Sequence, residues 1–313
     1  MTEFVSYATI VLIGAAGLDF LVGDPWHWPH PVQGMGWLIQ RYTNLAFKAK
    51  QSATVMRWLG VLLTILLVGA SAVVGWGLVA IAHQFNPWVG LSVEIILVAA
   101  CFAGRSLRDA AEDVLAPLIQ EDLTEARTRM SRYVGRDTQN LDQPEILRAV
   151  FETVAENSVD GIMGPLFYAL VGAVTPLGSA AIALAYKAAS TLDSMVGYRE
   201  APYTHIGWCS AKFEDVLTWL PCRLTVLTLS LLSRKPLTVI SLCQRDAAAD
   251  PSPNSGWSEC AYAASLGVQV GGKNVYRGVV KVKPLMGDPV REITPDVIRE
   301  CLRLNRRRHR AAA

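Results

Sequence analysis

Glu152, Glu156 and Asp160 stand four residues apart in the stretch from Glu145 to Tyr168. In a helix every fourth residue turns only about 40° from the last, so the three carboxylates share one face. Like charges at that spacing repel by roughly 0.2–0.5 kcal/mol per pair, and a bound cation relieves the repulsion. The same face has a plainer use as a solvated acidic surface, with Arg148 paired to Glu152 at i,i+4. Other groups with chemical capacity lie far away in the chain. Val134-Gly135-Arg136-Asp137-Thr138 interrupts a helical pattern; a glycine beside an Arg-Asp pair can cradle a phosphate or carboxylate, or simply form a turn with a surface ion pair. His30 sits between Pro29 and Pro31, after Asp24, on a backbone that two prolines stiffen. Lys187, Asp193 and Tyr198 close an apolar run with groups suited to phosphate, metal and substrate, although a lysine at a span end also snorkels to the interface.

The elements that must carry these groups are those of a membrane protein. Of 313 residues, 51% are hydrophobic and 18% charged, more apolar than an ordinary soluble chain. Apolar runs at 4–22, 58–82, 88–103, 165–189 and 216–232 approach the ~20 residues that cross a bilayer, 88–103 being the shortest. No basic segment precedes the first run, and Asp19 and Asp24 stand where a cleavage site needs small residues, so it reads as a retained span. Asp19 in that run and Glu94 in the third are costly in hydrocarbon and are expected to face the bundle interior or a pathway. Trp26 and Trp28 suit an interfacial belt. Gly69, Ala70, Ser71, Ala72 and Gly75 would let the second span pack closely against a neighbour. The fourth run contains Val174-Thr175-Pro176-Leu177-Gly178, which makes it a kinked span or a re-entrant segment.

The connection from Arg41 to Arg57 and the long polar connection 104–164 are rich in arginine, which places both on the cytoplasmic side; the turn from His83 to Pro87 has no basic residue other than its histidine and reads as the opposite side. Within 104–164, Ser106 to Gln120 and Asp122 to Tyr133 have the period of amphipathic helices, with Leu107, Ala111, Val114, Leu115 and Leu118 on one stripe. In the polar tail 233–313, the segment from Asp250 to Trp257 is too rich in turn formers for a helix. Val268 to Val282 reads as a short hairpin or a nucleotide-contacting loop. The basic end, Arg299 to Arg310, suits anionic lipid, and no nucleic-acid-binding motif accompanies it. The six cysteines are scattered and suggest neither a zinc cluster nor a disulfide framework. The expectation is an all-α, polytopic integral membrane protein, one membrane-embedded domain over 1–313, with polar catalytic loops at the membrane face.

Several strings in order carry a resemblance: Gly23-Asp24-Pro25 with His30-Pro31-Val32, Gly104-Arg105-Ser106-Leu107, Val134 to Thr138, Glu152 to Gly161, Pro165-Leu166-Phe167-Tyr168, Tyr186-Lys187-Ala188, Thr191 to Tyr198, and Ser252 to Trp257. Together they resemble the adenosylcobinamide-phosphate synthase family (CbiB/CobD) of cobalamin biosynthesis over nearly the whole chain; Ser190 departs from the asparagine usual there, and Ser258 from a proline. The resemblance implies an ATP-dependent amide bond between adenosylcobyric acid, a corrinoid, and an amino-alcohol phosphate (aminopropanol phosphate or ethanolamine phosphate). It implies ATP and Mg2+, a multi-pass place in the cell membrane with catalytic loops toward the cytoplasm, and other late cobalamin-pathway membrane proteins as partners. On this resemblance Glu152, Glu156, Asp160 and Asp193 hold magnesium, and Arg105, Arg136 and Lys187 bind phosphates. Asp24 or His30 takes the proton of the attacking amine. Asp137, Asn157, Tyr198, Asn254 and Ser255 contact substrate or order its loop, and Glu156 and Lys187 are also placed with the catalytic groups. An ion or solute transporter, and a magnesium-dependent membrane phosphotransferase, are the rival readings.

Overall fold

Prolines and small polar residues punctuate the chain, and helices start at them. Pro31, Pro87, Pro144, Pro236 and Pro295 lie in the opening turns of their helices, where a missing N–H is no loss. A computed structural model of the chain describes residues 2–24, 30–49 and 51–312, with side chains for 7–24, 30–49 and 51–305. Trp26, Trp28 and the side chains of Arg306 to Arg310 lie outside the described residues. In chain order the helices are α1 (Thr2–Leu21), α2 (Pro31–Lys48), α3 (Ala53–Phe85), α4 (Pro87–Ala99), α5 (Gly104–Ile119), α6 (Leu123–Met130) and α7 (Gln143–Ser158), followed directly by a π-helical segment (Val159–Met163). Next come α8 (Gly164–Ala173), α9 (Gly178–Val196), α10 (Trp208–Leu232), α11 (Pro236–Asp246), α12 (Ser255–Leu266), strands β1 (Val270–Tyr276) and β2 (Val279–Met286), and α13 (Pro295–Ala312). The helical stretches 53–85, 87–119 and 208–232 are long and apolar enough to cross a membrane. The chain is therefore the all-α polytopic membrane protein its composition implies. Its contacts gather into two compact units, 1–103 with 164–218 and 104–163 with 219–312.

In the first unit α3 packs along α9. A Cβ on Gly75 would stand 2.8 Å from Leu184 Cδ1 and 3.2 Å from Ala181 Cα, so glycine sets the spacing there. Gly69 has open space around it, because the helical period turns it away from α9; close packing in the small-residue stretch is thus established at Gly75 and not at Gly69. The outward face of α3 presents Trp58, Ile65 and Val73, which suits lipid. The fourth apolar run is a helical hairpin. The chain turns at Val174–Leu177, and α8 lies against α9. The ten residues of α8 reach only about 15 Å, half of the ~30 Å hydrocarbon core.

The second unit has its own core, which includes Leu115, Ile146, Phe151, Tyr262 and Ile298. The amphipathic stripe read from sequence is largely buried here, at Ala111, Val114, Leu115 and Leu118 of α5. Asp142 and Glu145 form a capping box that fixes the start of α7. β1 and β2 pair antiparallel with Tyr276 opposite Val279, and the two turn residues, Arg277 (φ 51°) and Gly278 (φ 78°), adopt the positive φ that tight hairpins need. The segment rich in turn formers departs from expectation at its end, because α12 begins at Ser255. Ser252 Oγ accepts the backbone N–H groups of Asn254 (3.2 Å) and Ser255 (3.1 Å), so those residues act as a helix start and not a barrier.

Candidate functional site

Both polar constellations foreseen on α7 and in the loop before it lie in the second unit. Glu152 is 1% exposed. Arg136 donates to its Oε2 at 2.5 Å; Arg148 at 3.0 Å and the Gly271 N–H at 2.9 Å donate to its Oε1. Burial pushes the Glu152 carboxyl up, but the two guanidiniums outweigh it and hold the group below the usual carboxylate range. Arg136 also donates to Asn274 Oδ1 (2.8 Å), and Arg148 to the carbonyls of Gly271 (2.7 Å) and Lys273 (3.0 Å). Asp137 accepts the turn N–H groups of Arg277 (3.1 Å) and Gly278 (2.8 Å). The Gly-Arg-Asp loop and Glu152 thus clamp the hairpin to α7. The Arg148–Glu152 pair at i,i+4 is present, but as part of a buried network.

Glu156, one turn further, is exposed at its own surface. Protein packed around its other sides pushes its carboxyl up; Lys283 opposes this, and Asp160, Asp250 and Glu152 add to the rise. Asp160 lies in the π-helical segment, a wide turn common at functional sites. Lys283 of β2 reaches Glu259 Oε1 of α12 at 2.5 Å and Asp250 Oδ2 at 3.8 Å. Burial alone would pull Lys283 down, but Glu259 and Glu156 beside it hold it above the usual lysine range. Glu259 is fully buried, its Oε2 meets no hydrogen-bond partner, and burial raises it well above the carboxylate range against the pull of Lys283. Asp250 Oδ1 accepts the Ser252 N–H at 2.9 Å and the Ser255 hydroxyl at 3.4 Å, while Asn254 Oδ1 accepts from Arg223 at 3.3 Å. The Asn254–Ser255 loop is therefore linked, through Asp250 and Lys283, to the surroundings of Glu156.

Asp250, Glu259 and Lys283 were not among the sequence candidates. Asp250 opens the Pro-Ser-Pro-Asn string and Glu259 follows Ser255 by one helical turn, but nothing in the sequence pairs either with the distant Lys283. Among the described residues no group of three or more His, Cys, Asp or Glu is arranged to cage a metal. Magnesium does not need one, since it commonly takes one or two carboxylates and completes its shell with water and phosphate oxygens. Glu156 and Asp160 fit that demand. Glu152, its oxygens already facing two guanidiniums and an amide, fits it poorly. Asn157 is exposed and donates to Thr153 O at 2.8 Å, and Arg105 pairs with Asp109 at 3.2 Å.

The remaining candidates lie in the first unit. His30 caps α2: its Nδ1 accepts the Val32 N–H at 3.3 Å, and its Nε2 lies 3.1 Å from Asp24 Oδ1. With Nδ1 accepting, a neutral ring carries its proton on Nε2, which is close to Asp24 but makes no hydrogen bond to it. Lys187 and Asp193 are half-buried on α9, and six positions along a helix separate them by about 120° around the axis. Tyr198 is exposed, and its hydroxyl donates to Ser194 O at 2.9 Å.

Apolar helices able to cross a bilayer, together with polar helices that carry a buried ion-pair network and an accessible acidic face, define a polytopic membrane protein. The family model described as CobD/Cbib protein matches residues 12–305. The chain belongs to that family. It is 50% identical over 288 residues to the cobalamin biosynthesis protein CobD of Synechocystis, covering 92% of this chain and 84% of the relative. It is 44% identical over 291 residues to the cobalamin biosynthesis protein CbiB of Salmonella arizonae, covering 92% of this chain and 89% of the relative. No solved structure matches it.

Proposed function

We propose that this chain is a membrane enzyme of cobalamin biosynthesis that joins adenosylcobyric acid to an amino-alcohol phosphate, using ATP, to give adenosylcobinamide phosphate. The observation that carries the reading is the grouping of Asp160, Asp250 and Lys283 near the accessible carboxylate of Glu156, drawn from three separate stretches of a chain of this family. A carboxylate is a poor electrophile. Transfer of the γ-phosphoryl group to it gives ADP and an acyl phosphate; attack by the amine then releases inorganic phosphate and a proton and leaves the amide.

Magnesium, when bound, would offset phosphate charge during the transfer. Glu156 and Asp160 are its protein ligands in this reading, and the Asn254–Ser255 loop, held through Asp250, borders the site. Lys187 and Arg105 are assigned to phosphates. Asp24 is assigned the proton of the amine, since Nδ1 of His30 already accepts the Val32 N–H. The arginine-rich connections are assigned to the cytoplasmic side, where ATP is supplied.

The test incubates purified protein with ATP, magnesium, adenosylcobyric acid and aminopropanol phosphate, and follows the product by mass spectrometry. A product heavier by the amine minus water, formed only with ATP, supports the reading. Movement of substrate across a proteoliposome without chemistry would support a transporter instead.

A further inference from the structure

A cavity of about 240 Å³ lies within the first unit, bordered by α1, α3, α4 and the α8–α9 turn. Its polar wall is a hydrogen-bonded series. Glu94, 4% exposed, accepts the Ser179 N–H at 2.9 Å on Oε1 and the Tyr7 hydroxyl at 2.8 Å on Oε2. The Tyr7 oxygen lies 3.1 Å from His83 Nε2. Since Tyr7 donates to Glu94, the His83 N–H is the donor to Tyr7, which leaves the Glu94 carboxylate positioned by dipoles alone. No lysine or arginine is among the described residues that line the cavity. The rest of the wall includes the rings of Tyr7, His83 and Trp76, the first two with centroids 6.1 Å apart.

A carboxylate in a cavity lined by no described lysine or arginine, set among aromatic rings in a helix bundle, has the chemistry that attracts an ammonium group. The carboxylate supplies charge, and ring faces, that of tryptophan most strongly, attract the cation. The volume is below the ~300–1,000 Å³ of pockets for drug-sized ligands, and so suits a small head group. We infer that this cavity binds an ammonium group, offered either by a small free amine or by a phospholipid head group. None of its residues is assigned a part in the reaction proposed above, so this inference stands apart from that reading.

The test uses full-length protein in nanodiscs of phosphatidylglycerol, titrated with ethanolamine or tetramethylammonium at constant ionic strength, with thermal stability as the readout. A saturable rise in Tm is expected, absent with ethylene glycol and at least tenfold weaker in Glu94→Gln. The lipid source is read by native mass spectrometry of protein taken from membranes containing phosphatidylethanolamine: the wild type would carry that lipid and Glu94→Gln would not. Trp76→Leu leaves the Glu94 hydrogen bonds in place, and it decides the matter if Glu94→Gln does not fold. If wild type and the folded variants respond alike to free ammonium and retain phosphatidylethanolamine alike, the inference is overturned.

Discussion

Replacing Glu152 with glutamine removes one negative charge from a site where Arg136 and Arg148 have side chains only 9% and 15% exposed. The amide fills nearly the same space, so the loss is electrostatic. Both guanidiniums lose their counter-charge, and at least one of the three donors that met the carboxylate now faces an NH2 group. Breaking a buried pair by deleting one partner costs about 3–5 kcal/mol, and the partial access of water to Arg148 places this case near 3. For a body of this size that is a fall in Tm of roughly 6–12 °C. The assay is thermal or urea unfolding of wild type and variant in the same detergent. The folded pKa of Glu152 lies below its ordinary 4.5, so its contribution is complete above that pH and is lost as pH falls through the folded value. The gap between the proteins should therefore be full at pH 7 and close in acid. A variant within 0.5 kcal/mol of wild type, or a gap that does not change on acidification, would refute the network's role. Equal stability with a raised magnesium requirement would instead make Glu152 a metal ligand.

Other substitutions probe the remaining parts. Lys283→Met leaves Glu259 and Asp250 without their cation and should cost about 3–5 kcal/mol, largely recovered in Lys283→Met with Glu259→Leu; denaturant unfolding reads both. The raised pKa of Lys283 means that its contribution is whole below about pH 10.5 and is lost as pH rises through the folded value, so wild type and Lys283→Met should converge in alkali. Gly60→Ala would put a Cβ 2.0 Å from the Ile206 carbonyl oxygen and should destabilise by about 1–3 kcal/mol. Gly69→Ala, with nothing within 4 Å, should be neutral or stabilising by up to about 1 kcal/mol in the same unfolding assay. His30→Ala removes the cap of α2 and should cost about 0.5–2 kcal/mol. It should also shift the pH profile of turnover, which a purely structural cap would leave in place.

The membrane class and most helices were legible because they rest on short-range rules. Apolar length marks a span and a 3.6-residue period marks α5, while Val268 to Val282 leaves a hairpin and a nucleotide-contacting loop both open, of which the structure shows the hairpin. The site was legible only in part. Spacing of four placed Glu152 and Glu156 on one helix but could not tell which would be saturated by arginine, because Arg136, Gly271 and Asn274 come from distant stretches. Lys283 was unreadable for the same reason: an isolated lysine on a strand has no local mark of the buried acid it meets. The turn formers from Asp250 to Trp257 speak against a helix, yet the Ser252 hydroxyl accepts the Ser255 N–H and α12 begins there.

The most direct measurement compares wild type and Glu156→Gln for ATP-dependent formation of adenosylcobinamide phosphate at saturating magnesium. The wild type should form it, and the variant, with its Tm preserved because Glu156 is exposed and makes no buried pair, should fall at least 100-fold. Turnover by Glu156→Gln within a few-fold of wild type would contradict the assignment of this acidic face as the reaction site.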